Sequence, residues 1–156
     1  MRWTWSRVLL WAIFVVVIAN YAAQIPYYLR LYYFPHHAPP ALWGSLALAA
    51  TLAWFLVGFT LLLRGRAAGY WLTLAFLATE TAFYLYNLLN QMAHGYAPFF
   101  HLANPDPVLW SVFAIGYLNL VAGAPFIVGL LVARRTLRPG NRTERRGSRL
   151  AIEVAS

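Results

Sequence analysis

One acid lies inside a long apolar segment of the chain, and polar residues follow it at helical spacing. The segment covers residues 70–92, and the acid is Glu80. Tyr84, Asn87 and Gln91 follow Glu80 at i+4, i+7 and i+11, so all four side chains share one face of an α-helix. Such a stripe is very costly against lipid and should face other helices or a cavity. An ionisable residue in a segment this apolar marks a candidate functional site.

Two kinds of chemistry are open to Glu80 at that depth. Removal from water favours the neutral carboxylic acid, which can donate or shuttle a proton. Beside a cationic ligand the carboxylate would instead be the counter-ion, with nearby tyrosine rings adding cation–π contacts. The structural alternative is a protonated Glu80 that only bonds to another helix, for example to Asn20 or Asn119. Glu80 is therefore the one catalytic candidate.

A second polar stripe lies in the first apolar segment. Asn20 and Gln24 stand at i and i+4, Tyr28 follows one turn later, and Pro26 loosens the helix there. The alternative role of these side chains is hydrogen bonding that only holds helices together. With two polar residues of the last apolar segment, the predicted ligand-binding residues are Asn20, Gln24, Tyr28, Tyr84, Asn87, Gln91, Tyr117 and Asn119.

The histidines form a weaker constellation, in two predicted loops on one side of the molecule. They are His36, His37, His94 and His101, and Asp106 follows the last of them. Imidazole and carboxylate suit zinc, copper or iron. Their spacing is unlike any compact ligand motif, so ordinary loop residues are the favoured interpretation. We predict no cofactor and keep the four histidines as weak metal candidates.

Composition identifies the elements that must position these residues. Hydrophobic residues make up 62% of the chain and charged residues 10%, and the mean hydropathy is +0.58, which excludes a soluble domain. Four apolar segments, at about 8–29, 41–63, 70–92 and 108–133, each have the length of a membrane span. We predict an all-α bundle of four transmembrane helices in residues 1–133, and a basic tail, disordered at its end, in 134–156. The absence of cysteine excludes disulfides and thiolate sites.

The charge distribution predicts how the chain crosses the membrane. All twelve basic residues are arginine, and the net charge is +8. Only Arg30 falls on the side opposite the others, a pattern that places both termini in the cytoplasm. The basic tail then serves topology and contact with anionic membrane lipid, and nucleic acid is not an expected partner. The rival interpretation of the first segment is a signal peptide cleaved near Tyr21-Ala22-Ala23.

Short motifs in these segments resemble the EXPERA family of four-span sterol isomerases and sigma-2-type receptors. They are Gln24-Ile25-Pro26, Leu63-Arg64-Gly65, Glu80-Thr81, and Tyr117 with Pro125. The resemblance implies a small helix bundle with an intramembrane pocket for sterol-like or cationic amphiphiles, and double-bond isomerisation by proton transfer. The chain departs from the family where Tyr32 stands in place of an expected acid, which leaves Glu80 alone. Binding is therefore better supported than catalysis.

The predicted function follows from these residues together. We expect the chain to bind a hydrophobic or amphipathic small molecule, sterol-like or cationic, in a pocket between the first, third and fourth spans centred on Glu80. Isomerase activity at Glu80 is a further expectation. The alternative is a small structural or accessory subunit of a larger membrane complex, or a homo-oligomer, whose polar stripes are helix contacts. A small transporter ranks third, because four spans without a repeat would need to oligomerise.

Overall fold

Four long α-helices form the computed structural model, which describes residues 5–30, 39–97 and 107–137. They are α1 (Trp5–Tyr28), α2 (Pro39–Leu63), α3 (Ala67–Ala93) and α4 (Pro107–Leu137). Each contains a stretch long and apolar enough to cross a membrane. The prediction of an all-α four-helix bundle is confirmed, and the four helices are compatible with an integral membrane protein.

The helix ends differ from the predicted spans by a few residues. Helix α1 continues past Pro26 to Tyr28, although proline lacks the backbone N–H that would donate within the helix. Helix α4 continues to Leu137, so the first residues assigned to the tail are helical. The rest of the predicted tail, residues 138–156, lies outside the described part.

Helices α2 and α3 both end in a glycine-containing Schellman motif. After α2, the N–H groups of Gly65 and Arg66 donate to the carbonyls of Leu62 and Leu61, both at 2.9 Å. Gly65 has φ 72°, a left-handed conformation that glycine adopts without a Cβ penalty. The chain reverses within three residues, and α2 and α3 are antiparallel neighbours. After α3, Gly95 takes the same role with φ 84°.

The helices form a ring in chain order. Helix α2 packs on α3, α3 on α4, α4 on α1, and α1 on α2. Helices α1 and α3 therefore face each other across the bundle as a diagonal pair. Because the number of helices is even, the start of α1 and the end of α4 lie at the same end of the bundle. We call the half nearest the α2–α3 turn the turn half, and the opposite half the distal half.

Aromatic rings fill the turn half. Phe55 and Phe76 are fully buried with ring centroids 4.9 Å apart, and Phe14 lies 5.3 Å from Phe59. Around these rings lie the fully buried Ile13 and other residues of α1. Rings in such offset and tilted arrangements gain attraction beyond the area that they bury. The turn half thus has a core to which all four helices contribute, with Phe126, Leu130 and Ala133 from α4.

Glycines bring the helices of the turn half into close contact. A Cβ on Gly69 would collide with backbone atoms of Leu61 and Leu62, and a Cβ on Gly129 would lie 2.9 Å from Leu9 Cδ1. Small residues allow such close approach between membrane helices. The first contact joins α2 to α3 and the second joins α4 to α1.

The outer surface of the bundle is apolar. Each helix exposes large hydrophobic side chains, among them Val15, Val57, Leu85 and Val121. Exposed apolar side chains on every helix are what contact with lipid requires. That lipids surround the chain stays a prediction.

Candidate intramembrane site

The polar stripe of α3 turns inward. Glu80, Tyr84, Asn87 and Gln91 are all half-buried, whereas Phe83 on the same helix is 58% exposed. The period of the stripe follows the helix, so its four side chains stay on the side that faces α1 and α4. The stripe therefore forms part of the interior of the bundle.

Glu80 joins three helices through its two carboxyl oxygens. The hydroxyl of Tyr21 in α1 donates to Glu80 Oε1 at 2.6 Å, and the side-chain amide of Asn119 in α4 donates to Oε2 at 3.4 Å. Both donors are buried, at 1% and 3% exposure. Hydrogen bonds to a carboxyl group are among the stronger ones in proteins when the acceptor is ionised. Tyr21, Glu80 and Asn119 form what we call the acid network.

A second network lies next to the first, one residue earlier in α1. Asn20 Nδ2 donates to the Tyr84 hydroxyl at 2.8 Å, and the hydroxyl lies 3.1 Å from Asn20 Oδ1. Gln24 Nε2 donates to Asn20 Oδ1 at 2.7 Å and also to Tyr84. Because both amide hydrogens of Gln24 point to these partners, its amide group is held in one orientation. Asn20, Gln24 and Tyr84 form the amide network.

A cavity of about 320 Å³ opens beyond the amide network, between α1, α3 and α4 in the distal half. Its lining combines polar and apolar side chains, and no described residue of α2 belongs to it. The lining residues are Gln24, Tyr27, Phe83, Tyr84, Asn87, Leu88, Gln91, Val112, Phe113, Gly116 and Tyr117. A volume near 300 Å³ is the lower end of the range for small-molecule pockets.

The predicted site residues separate into two groups in the structure. Five of them line the cavity, namely Gln24, Tyr84, Asn87, Gln91 and Tyr117. Asn20, Glu80 and Asn119 take part in the two networks and are not lining residues. The cavity is therefore displaced from Glu80 toward the end of α3. Tyr28 is the last residue of α1, and its side chain lies outside the described part.

Sequence reasoning missed Tyr21 and the apolar wall of the cavity. Tyr21 precedes Gln24 by three residues and therefore lies on the same face of α1, which is the signal that could have identified it. Leu88 follows Tyr84 by four residues on α3 in the same way. Val112 and Phe113 had no such signal, because their place in the wall depends on how α4 packs against α3.

The histidines are only partly described. His94 caps the end of α3, where its Nδ1 donates to the carbonyl of Asn90 at 2.7 Å. His36, His37 and His101 lie outside the described residues, as does Asp106. Within residues 5–30, 39–97 and 107–137 no group of three metal-ligating side chains occurs.

Comparison with known proteins identified no relative of this chain. No protein-family model matches the chain, and neither a curated protein sequence nor a solved structure matches it. The resemblance to the EXPERA family therefore remains a prediction from the four short motifs. The two networks and the cavity are the features that bear on its function.

Proposed function

We propose that this protein binds a hydrophobic or amphipathic small molecule within the membrane, in the cavity between α1, α3 and α4. The observation that carries the proposal is the mixed polar and apolar lining of this cavity. Asn87 and Tyr84 contribute amide and phenol groups, and Phe83 and Val112 contribute apolar surface. A few placed polar groups in an otherwise apolar concavity are typical of small-molecule sites.

The two networks lie next to the cavity, on the side of the turn half, and hold some of its lining residues in place. The amide network contributes Gln24 and Tyr84 to the lining, and the acid network fixes the neighbouring residue Tyr21. Side chains that are tied to two or three partners are held in one rotamer and need little reorganisation when a ligand arrives. We assign to Glu80 the role of joining α1, α3 and α4 beneath the site.

Binding is favoured over double-bond isomerisation. An isomerase adds a proton to one carbon and removes a proton from another, which requires a donor and an acceptor unless one group does both. Glu80 is the only carboxyl group in the described part of the chain, and it is not a lining residue. A sterol isomerase of the EXPERA type would have to bring its substrate to Glu80, past Tyr84.

We further propose that both termini are cytoplasmic and that the cavity lies in the opposite leaflet. Arg7, Arg64, Arg66 and Arg134 belong to the turn half, whereas Arg30 follows α1 at the distal end. Lys and Arg in short loops are retained on the cytoplasmic side. A reporter that is active only in the cytoplasm should be active when it is fused to the C-terminus. Activity of a reporter that requires export would overturn this orientation.

Thermal unfolding in lipid nanodiscs tests the binding proposal. The protein is reconstituted in phosphatidylcholine discs, and the fluorescence of its seven tryptophans is followed on heating with increasing cholesterol or tetradecan-1-ol. A ligand at about 100 times its Kd should stabilise the fold by about 2.7 kcal/mol. We expect a saturable rise in Tm with at least one of these two compounds. No rise with either would overturn the proposal.

Gly116 offers a matched pair of variants for locating the ligand. This glycine lines the cavity, and a Cβ there would only touch Tyr84 at 3.4 Å. Gly116→Ala should therefore keep the Tm response, whereas Gly116→Leu fills the cavity and should abolish it. An unchanged response in Gly116→Leu would place the ligand elsewhere.

The role of Glu80 is tested by Glu80→Gln. The amide keeps the shape of the side chain and can still accept a hydrogen bond from Tyr21. We expect the ligand response to persist with a lower starting Tm. A lost response at an unchanged starting Tm would contradict the supporting role and make Glu80 a direct ligand group.

An accessory subunit of a larger membrane complex is the alternative function. The networks weigh against it, because Asn20, Gln24 and Glu80 find partners within this chain. Polar stripes that served another subunit would be expected on the exterior of the bundle. Stoichiometric copurification of another membrane protein in mild detergent, combined with no Tm response, would favour the accessory role.

A further inference from the structure

We propose that the cavity selects amphiphiles with an uncharged hydroxyl head group, and that Gln24 and Asn87 are the two side chains that bind it. The inference rests on the proposed function and assigns the chemical class of the ligand. It also distinguishes between the sterol-like and the cationic ligands that the resemblance implies.

The charge of the cavity lining favours a neutral head group. Among the described residues that line the cavity, none carries a formal charge. An ionised head group in apolar surroundings is costly unless an opposite charge pairs with it. Glu80 is the only described acid that could supply this charge, and its oxygens already accept hydrogen bonds from Tyr21 and Asn119 outside the lining. The cavity therefore disfavours a cation and tolerates a neutral polar group.

The hydrogen-bonding groups of Gln24 and Asn87 also favour a hydroxyl. Gln24 uses its amide nitrogen on Asn20 and Tyr84, and its Oε1 accepts no hydrogen bond from the described part of the chain. Asn87 lines the same cavity on the opposite helix of the diagonal pair, and its side chain makes no hydrogen bond with any described residue. The cavity thus presents one fixed acceptor from α1 and one amide from α3.

A hydroxyl matches this pair of groups. It has one hydrogen to donate and two lone pairs to accept with. It can donate to Gln24 Oε1 and accept from Asn87 Nδ2, and both amides then gain a bond that no described residue supplies. An ammonium group has only donors, so it could bond to the amide oxygens but could not accept from Asn87 Nδ2, and its charge would have no counter-ion among the described lining residues.

The apolar part of the ligand has a defined exit. Leu88, Val112 and Phe113 form apolar lining, and Phe83 both lines the cavity and is 58% exposed. The wall at Phe83 is therefore continuous with the outer surface. A volume of about 320 Å³ encloses a head group and the first part of its apolar body, and the remainder can lie against Phe83 in the lipid.

Three probes with the same chain length separate the head groups. Tetradecan-1-ol, tetradecylammonium and tetradecane are titrated separately into the wild-type protein in phosphatidylcholine nanodiscs, and the Tm is recorded. We expect the alcohol to raise the Tm at a concentration roughly tenfold lower than the other two, the effect of one or two good hydrogen bonds.

Asn87→Leu and Asn90→Leu form the matched pair of variants. Asn90 is on the same helix but exposed and outside the cavity. We expect Asn87→Leu to weaken the alcohol response roughly tenfold, to the level of tetradecane, and Asn90→Leu to leave it unchanged. Asn87→Ala repeats the test with a smaller side chain, should Asn87→Leu fail to fold.

The possible outcomes distinguish this inference from the proposed function. A response to tetradecylammonium at the same or lower concentration than to the alcohol, lost in Glu80→Gln, would overturn the neutral head group and leave binding intact. Equal responses to the alcohol and tetradecane would show that the head group is not recognised, with the same consequence. No response to any probe or to cholesterol would overturn the proposed function itself.

Discussion

The two halves of the bundle are built from the same four helices but differ in what lies between them. In the turn half, Phe55 and Phe76 fill the interior and Gly69 brings α2 against α3. In the distal half, polar and apolar side chains surround a cavity, and no described residue of α2 lines it. The contrast indicates that the turn half carries the stability of the fold, whereas the distal half carries the candidate site.

Two consecutive residues mark the boundary between the halves. Asn20 bonds to Tyr84 in the amide network, and Tyr21 bonds to Glu80 in the acid network. Both bonds cross the bundle from α1 to α3. A polar layer that is satisfied by its own chain can lie next to an aromatic core without leaving buried donors or acceptors unpaired.

The largest expected difference between the halves comes from removing a phenylalanine ring. Phe76 is fully buried in the turn half, whereas Phe83 is 58% exposed in the distal half. We expect Phe76→Ala to lower the free energy of unfolding by about 3 kcal/mol, since the cavity left behind cannot collapse. Phe83→Ala should cost less than about 1 kcal/mol. Unfolding by SDS in mixed micelles measures both, and similar losses would contradict the comparison.

Two glycines of α4 sharpen the comparison by changes of opposite sign. A Cβ on Gly123 would collide with the Thr81 side chain, whereas a Cβ on Gly116 only touches Tyr84 at 3.4 Å. Gly123→Ala should destabilise the protein by about 2 kcal/mol through overpacking. Gly116→Ala should stabilise it by up to about 1 kcal/mol, because alanine is the better helix former. The same unfolding assay applies, and a stabilising Gly123→Ala would show that α3 and α4 are not tightly packed there.

Removing one hydroxyl tests the boundary between the halves. Tyr21→Phe keeps the buried ring and deletes the donor to Glu80 Oε1. We expect a loss of about 1 kcal/mol in the free energy of unfolding. Tyr86→Phe is the control, since Tyr86 is 67% exposed, and should change little. Equal effects of the two substitutions would show that the acid network does not stabilise the fold.

The smallest expected effect concerns the end of the turn half. The Arg134 guanidinium lies 5.0 Å from the centre of the Trp71 ring. Arg134→Gln should cost about 0.5 kcal/mol, the size of an exposed cation–π contact. Arg66→Gln, at an exposed arginine of the α2–α3 turn, is the control. A loss above that of Tyr21→Phe would mean that this contact contributes more to the fold than the polar boundary does.

Much of the fold could be predicted from the sequence, but only part of the candidate site. The lengths of the apolar segments predicted four helices, because a bilayer sets the length that a span needs. Helical spacing placed Glu80, Tyr84, Asn87 and Gln91 on one face, and that face does turn inward. The position of the cavity relative to Glu80 could not be predicted. It depends on the gap between α3 and α4 on the distal side of Thr81 and Gly123. The packing of the two helices sets that gap, and the spacing of residues along one helix does not reveal it.

The amide network also has a consequence for how the chain is made. Asn20 and Gln24 leave the ribosome with α1, but the partner that they share outside α1 is Tyr84 on α3. Before α3 is made, the partner that α1 itself offers these amides is the bond between them, at 2.7 Å. An α1–α2 hairpin therefore lacks the phenol that both amides bind in the folded chain.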